Sequence, residues 1–289
     1  MAVGWRPALR PFLGGTAVAL VSGFLASSAM AQSDSDKVSV AIGTDLSHAY
    51  FDRGFLQERS GLVAQPYMDM TFSLFEGTEG LHSITFTIGQ WNSMHTGPSG
   101  NDGPATNVGA WYESDFYTGF VFGIDNWDFG LTYTAYLSPN DMAGTVKEVA
   151  LSLAVDDSAL LGGFTLSPHV LMAIEVSGQA DRGAGEGVYV ELGVEPGFRL
   201  DGTPVSVSFP LTVGLSLSDY YEGTSGNDDT LGYVALGVMA SMPLRIPESY
   251  GAWEVSGGVN LLSLQNTLTT LNGGDEFQAV GTVGFSIAY

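Results

Sequence analysis

Residues 204–218 read PVSVSFPLTVGLSLS. Val205, Val207, Phe209, Leu211, Val213, Leu215 and Leu217 alternate with Ser206, Ser208, Pro210, Thr212, Gly214, Ser216 and Ser218. A period of two belongs to a β-strand with one apolar and one polar face, because successive side chains point to opposite sides of a sheet. A tilted strand crosses a hydrocarbon core in roughly 9–11 residues, so this run is long enough to span a bilayer.

The same alternation recurs in both directions along the chain. It predicts twelve strands, near 38–48, 65–75, 82–92, 113–125, 127–137, 146–156, 164–176, 187–198, 204–218, 230–242, 252–263 and 276–289. Between them long connections such as 49–64 (AYFDRGFLQERSGLVA) take turns with short ones such as 76–81 (EGTEGL). PLRIPESYG at 243–251 is the one generous short connection. An antiparallel barrel in a membrane has short turns at one end and longer loops at the other. The expected fold is therefore all-β: an up-and-down transmembrane barrel of about twelve strands.

Alternation alone leaves open which face looks outward. Three features point the apolar face to lipid. The polar face is rich in Ser, Thr, Gly, Asp and Glu with almost no Lys, unlike a water-facing surface, and the whole chain holds Lys only at Lys37 and Lys147. Trp127, Phe164, Phe198, Trp253 and Tyr289 fall at the short-turn ends of the strands on the apolar register, where an aromatic girdle meets the membrane interface. A twelve-strand soluble barrel would also enclose a core wider than side chains fill, since small barrels are already full at about eight strands.

The last stretch, GTVGFSIAY at 281–289, places Val283, Phe285, Ile287 and Tyr289 on the lipid register and stops there. In this the chain resembles bacterial outer-membrane β-barrel proteins, which commonly end on an aromatic-terminated strand that the barrel assembly machinery recognises. That resemblance is one of pattern, and it implies location in the bacterial outer membrane. Ser47-His48-Ala49-Tyr50-Phe51-Asp52-Arg53-Gly54 is also similar to the S-x-Y-x-x-R-G stretch near the first strand of a family of uncharacterised putative outer-membrane proteins. The chain departs from it by an extra residue before Tyr50, and the family implies no activity.

Composition limits the function classes. Arg6 and Arg10 precede an apolar run and the small-x-small sequence Ala29-Met30-Ala31, so 1–31 reads as a secretory signal and 32–289 as the barrel. The mature part then holds 7 basic residues against 31 acids, a net charge of −24 that would repel nucleic acid. With no Cys there is no disulfide framework, thiol nucleophile or thiolate-bound metal.

By register, Asp45, Asp69, Asp115, Glu148 and Glu175 face the lumen in its long-loop half, with Glu191 and Glu195 deeper. Rings of carboxylates favour cations over anions, and the low-dielectric wall focuses their field. Arg53 joins this pore-lining set as a basic partner, and Arg59 and Arg182 are further candidates for pairing. Inward aromatics including Tyr67, Phe75, Trp91, Tyr117, Tyr136, Tyr189 and Tyr233 narrow the passage. The expectation is a passive diffusion channel for small cationic or neutral solutes, with outer-membrane lipids around it. The alternative is a non-conducting structural or ligand-binding barrel.

A lipid hydrolase is a third reading. Outer-membrane phospholipases and lipid A deacylases resemble one another in a His-x-Ser pair on an outward strand face, and none of His48, His82, His95 or His169 begins one. His82 and Ser83 are adjacent and are expected on opposite faces, while His169 is expected to be a hydrogen-bonded wall residue. No catalytic residue, metal site or cofactor is expected. Asn227-Asp228-Asp229 and Asn101-Asp102 are oxygen-rich loops of the kind that suits Ca²⁺ but lack EF-hand spacing. Pro66, Pro168, Pro196 and Pro210 fall within or beside strands, where proline has no N–H for the ladder.

Overall fold

The alternating runs pair with their sequence neighbours because adjacent antiparallel strands need only short connections. A computed structural model describes residues 37–289 except 60, 98–109, 159–162, 182, 184 and 223–225. The expected leader 1–31, Arg182 and Asn101-Asp102 lie outside these residues. The wall is built from β1 (Val38–Ser47), β4 (Val63–Glu76), β5 (Leu81–His95), β6 (Trp111–Ile124), β7 (Trp127–Leu137), β8 (Val146–Val155), β9 (Phe164–Thr165), β10 (His169–Ser177), β11 (Val188–Val194), β12 (Gly197–Arg199), β13 (Ser206–Ser208), β14 (Leu211–Ser218), β15 (Leu231–Pro243), β16 (Ala252–Leu264) and β17 (Phe277–Ala288). Two further strands, β2 (Tyr50–Asp52) and β3 (Phe55–Glu58), form a separate hairpin.

All wall pairings are antiparallel, and β1 closes on β17 from Ala41↔Ala288 to Ser47↔Thr282. Main-chain hydrogen bonds between Val40 and Tyr289, at 2.9 and 3.1 Å, extend this seam. Twelve staves result, because β9 with β10, β11 with β12 and β13 with β14 each make one interrupted crossing. The interruptions fall at Pro168, Pro196 and Pro210. Each proline removes one donor without shifting the pairing. Val194 lies opposite Leu211 and Gly197 opposite Ser208, one register carried through the break. Pro66 stays inside β4, opposite Thr44 of β1.

Large apolar side chains face outward around the circumference: Ile42, Met68, Ile88, Phe116, Leu131, Leu151, Leu192, Leu211, Leu236, Leu261 and Phe285 are all exposed. The alternate register points inward and is mostly Ser, Thr, Gly, Tyr and acidic residues, with a few small or apolar ones such as Ala150, Ala235 and Leu262. A closed sheet satisfies every backbone group in lipid, and an apolar exterior of this extent belongs in lipid. The chain is a closed antiparallel β-barrel with the apolar exterior of a transmembrane one.

A β-bulge in β4, between Ser73 and Phe75, corrects one reading. Leu74 is the extra residue, so Phe75 turns from the expected inward face to the outside, opposite Ile84 and 43 % exposed. A second bulge between Leu81 and Ser83 corrects another. A Cβ built on Gly123 would meet Ser83 Oγ at 2.3 Å and His82 Cε1 at 2.4 Å, so His82 and Ser83 share one side.

Candidate functional site: a hairpin held inside the barrel

The connection after β1 does not extend away from the barrel. Tyr50, Phe51, Phe55 and Leu56 give the hairpin apolar side chains on both faces, which burial alone satisfies. Its two-residue loop, Arg53-Gly54, has positive φ at both positions, 42° and 88°, as a type I′ hairpin turn requires. Glycine is needed at the second for space as well, since a Cβ there would strike Leu268 Cδ1 at 2.4 Å.

Inside the loop half, Phe51, Phe55 and Leu56 pack with Leu171, Tyr189, Tyr220, Tyr221, Tyr233, Leu262 and Leu268. Tyr220 and Tyr221 come from the connection between β14 and β15, and Leu268 from α1 (Asn266–Leu271) between β16 and β17. Ala180, from the connection between β10 and β11, packs against the same cluster, so at least four connections meet inside this end among the described residues. Asn272 clamps the hairpin, donating to Gly54 O at 2.7 Å and accepting from Leu56 N at 2.9 Å. Tyr221 Oη donates to Arg53 O at 3.0 Å.

The tip carries the charge. Arg53 is 2 % exposed and donates from Nη1 and Nη2 to the two oxygens of Glu148 at 2.6 and 2.9 Å. Nη1 also donates to Tyr220 Oη at 2.8 Å, and Tyr136 Oη donates to Glu148 Oε2 at 3.0 Å. The guanidinium carbon sits 4.4 Å from the Tyr189 ring centroid and 5.5 Å from that of Tyr220. A bidentate carboxylate plus two aromatic faces is a strong guanidinium receptor in a water-poor site.

The other acids occupy the inner wall with varied partners. Asp69 accepts from Tyr117 Oη. Asp45 lies against Gly284, where an added Cβ would sit 2.4 Å from its Oδ1. Glu175 accepts from the backbone of Ala180 and Gly187, both at 2.6 Å. Glu191 accepts from Tyr189 at 2.7 Å and Tyr233 at 3.3 Å. Asp115 and Glu195 are buried on the same face, and Asp115 Oδ1 has no hydrogen-bond partner among the described residues. Arg53 reaches this set from the hairpin rather than from the wall, while Arg59 pairs at the surface with Asp275 at 2.9 Å. Glycines let the inward tyrosines lie flat: a Cβ on Gly43 would overlap Tyr67, and one on Gly89 would overlap Tyr117.

At the turn end, Trp127, Phe164 and Tyr289 are exposed on the outside and Phe198 and Trp253 half-buried. Phe198 stacks on Phe209 at 6.2 Å, and Trp253 Nε1 donates to Tyr250 O at 2.7 Å. His169 lies over Gly193 on the inner wall, its Nδ1 3.1 Å from Ser167 O.

One arrangement escaped the sequence reading, which sought His-x-Ser and passed over its reverse. Ser93 and His95 alternate on the inner face, with Ser93 Oγ 2.8 Å from His95 Nε2. His95 Nδ1 lies 3.8 Å from Glu58 Oε2 of β3, and Tyr112 stacks on the imidazole at 4.5 Å. The order resembles nucleophile, base and orienting acid. Ser93 and Glu58 have no exposed surface, however, so the set joins the hairpin to the wall and presents no nucleophile to a substrate.

No known family and no curated protein matches the chain. Among solved structures it is similar to an outer membrane channel from Pseudomonas putida F1, at 10 % identity and TM-score 0.47 over 87 % of this chain and 94 % of that one. It is similar too to the translocator domain of the autotransporter NalP from Neisseria meningitidis, at 12 % identity and TM-score 0.44 over 88 % of each chain. The porin NanC aligns at 9 % identity and TM-score 0.39 over 86 % of this chain and 98 % of that one.

Proposed function

We propose that this barrel passes small cationic or neutral solutes across the outer membrane and is closed at its loop end by the inserted hairpin. The observation that carries the reading is the acidic inner wall, from Asp45 and Asp69 to Glu191 and Glu195, with Arg53 buried among it as counter-charge. Such a wall concentrates cations and repels anions. Asp115, Glu148 and Glu175 belong to the same set. Trp127, Phe164, Phe198, Trp253 and Tyr289 serve as the interfacial girdle, and the strand ending on Tyr289 is the element the assembly machinery would engage.

The packed cluster around Phe51, Phe55, Tyr220 and Tyr221 favours a second reading, in which the hairpin stays in place and the barrel does not conduct. Planar-bilayer recording separates the two. Cation-selective current in the wild type or in Arg53→Ala, with selectivity reduced in Asp45→Asn/Asp69→Asn, supports passage. Silence of both proteins at every voltage establishes the non-conducting barrel.

A further inference from the structure

Arg53 occupies a receptor that its own hairpin does not build. The bidentate carboxylate of Glu148, the hydroxyl and ring of Tyr220 and the ring of Tyr189 come from β8, β11 and the connection after β14. Tyr136 Oη fixes Glu148 from β7. Asp115 on β6 lies within electrostatic reach of both Arg53 and Glu148, and its Oδ1 is buried without a hydrogen-bond partner among the described residues. The wall thus carries more acceptor capacity than one guanidinium uses.

We infer that this box is a binding subsite for guanidinium-bearing solutes, and that Arg53 is a tethered occupant that keeps it filled while the hairpin is docked. The chemistry follows from the contacts. Two parallel N–H donors match the Glu148 carboxylate, the planar cation lies over Tyr189, and a further donor would meet Asp115. An ammonium offers a compact point charge instead and matches the fork less well. A solute entering the box competes with Arg53, so binding and withdrawal of the hairpin are one equilibrium. Its use in transport rests on the passage reading above; the occupancy of the box does not.

The test uses residues 32–289 refolded in detergent, with heat-modifiable gel mobility as the measure of the folded barrel. Methylguanidinium chloride is the probe, with sodium chloride and urea at equal concentrations as controls. In Arg53→Ala it is expected to raise the melting midpoint by several degrees with saturation. Wild type, whose box is filled, and Arg53→Ala/Glu148→Gln, whose fork is lost, are expected to respond no more than to sodium chloride. If Arg53→Ala fails to fold, restoration of its folding yield by methylguanidinium supports the inference, and an unchanged yield overturns it. A folded Arg53→Ala that responds no more than to salt overturns it as well. So does an equal response from the double variant. A guanidinium response without current leaves the subsite and removes the passage reading; current without the response does the reverse.

Discussion

Glu148 and Arg53 are both almost fully buried, and each is the other's main compensation. Removing one partner of such a pair leaves a charge out of water without an answering charge, at a cost of about 3–5 kcal/mol. Glu148→Ala is therefore expected to destabilise the refolded barrel by about that amount in urea unfolding, and Glu148→Gln by less because a hydrogen-bond acceptor remains. Asp229 gives a gentler case. It accepts from Thr267 Oγ1 at 2.6 Å and Thr267 N at 2.9 Å, joining the connection after β14 to the start of α1. The Thr267 hydroxyl, followed by backbone and Asn266 donors, holds its carboxyl below the ordinary carboxylate range. A depressed folded-state value means that the stabilisation is complete above the unfolded pKa and fades as pH falls through the folded one. Amide protection at Thr267–Thr270, measured against the intrinsic exchange rate at each pH, is expected to fall in acid, and Asp229→Ala is expected to reproduce the loss at neutral pH, at about 1 kcal/mol.

Among the elements, the strands and their facing were legible because a period of two survives along nearly every one. Val205 to Leu217 keeps one face straight through Pro210. What alternation does not carry is the place of an extra residue. Leu74 and His82 are unremarkable in sequence, yet the bulges there reverse Phe75 and bring His82 beside Ser83. A bulge is a contest between a strand's own pattern and its partner's register, and only the partner decides it. The facing of β8 gives a direct check. Lys147 and Leu151 both point outward, and Leu151 is 46 % exposed in the apolar band. Lys147 lies at the loop end of β8, where a lysine stem is long enough to carry its charge to the headgroups. Leu151→Lys moves a charge toward mid-membrane and is expected to cost about 2–4 kcal/mol by unfolding in phospholipid vesicles. A neutral result would reverse the inside and the outside.

For the whole molecule, closure was legible and the filled loop end was not. Twelve alternating runs with connections of alternating length already describe a barrel, but 49–64 read only as a long connection. Its apolar content (Tyr50, Phe51, Phe55, Leu56) was the available signal, since a loop left in water gains nothing from four such side chains. The destination was hidden because Tyr189, Tyr220, Leu268 and Asn272 are brought to the hairpin only by closing the sheet. That order of dependence governs assembly. The hairpin lies near the start of the described chain, the residues that receive its tip run from Glu148 to Asn272, and the seam between β1 and β17 joins the two extremes of the described sheet. Pairings so distant in sequence form slowly. Docking of the first connection against Leu268 and Asn272 is therefore expected to come with closure of that seam, late in folding rather than as an early nucleus.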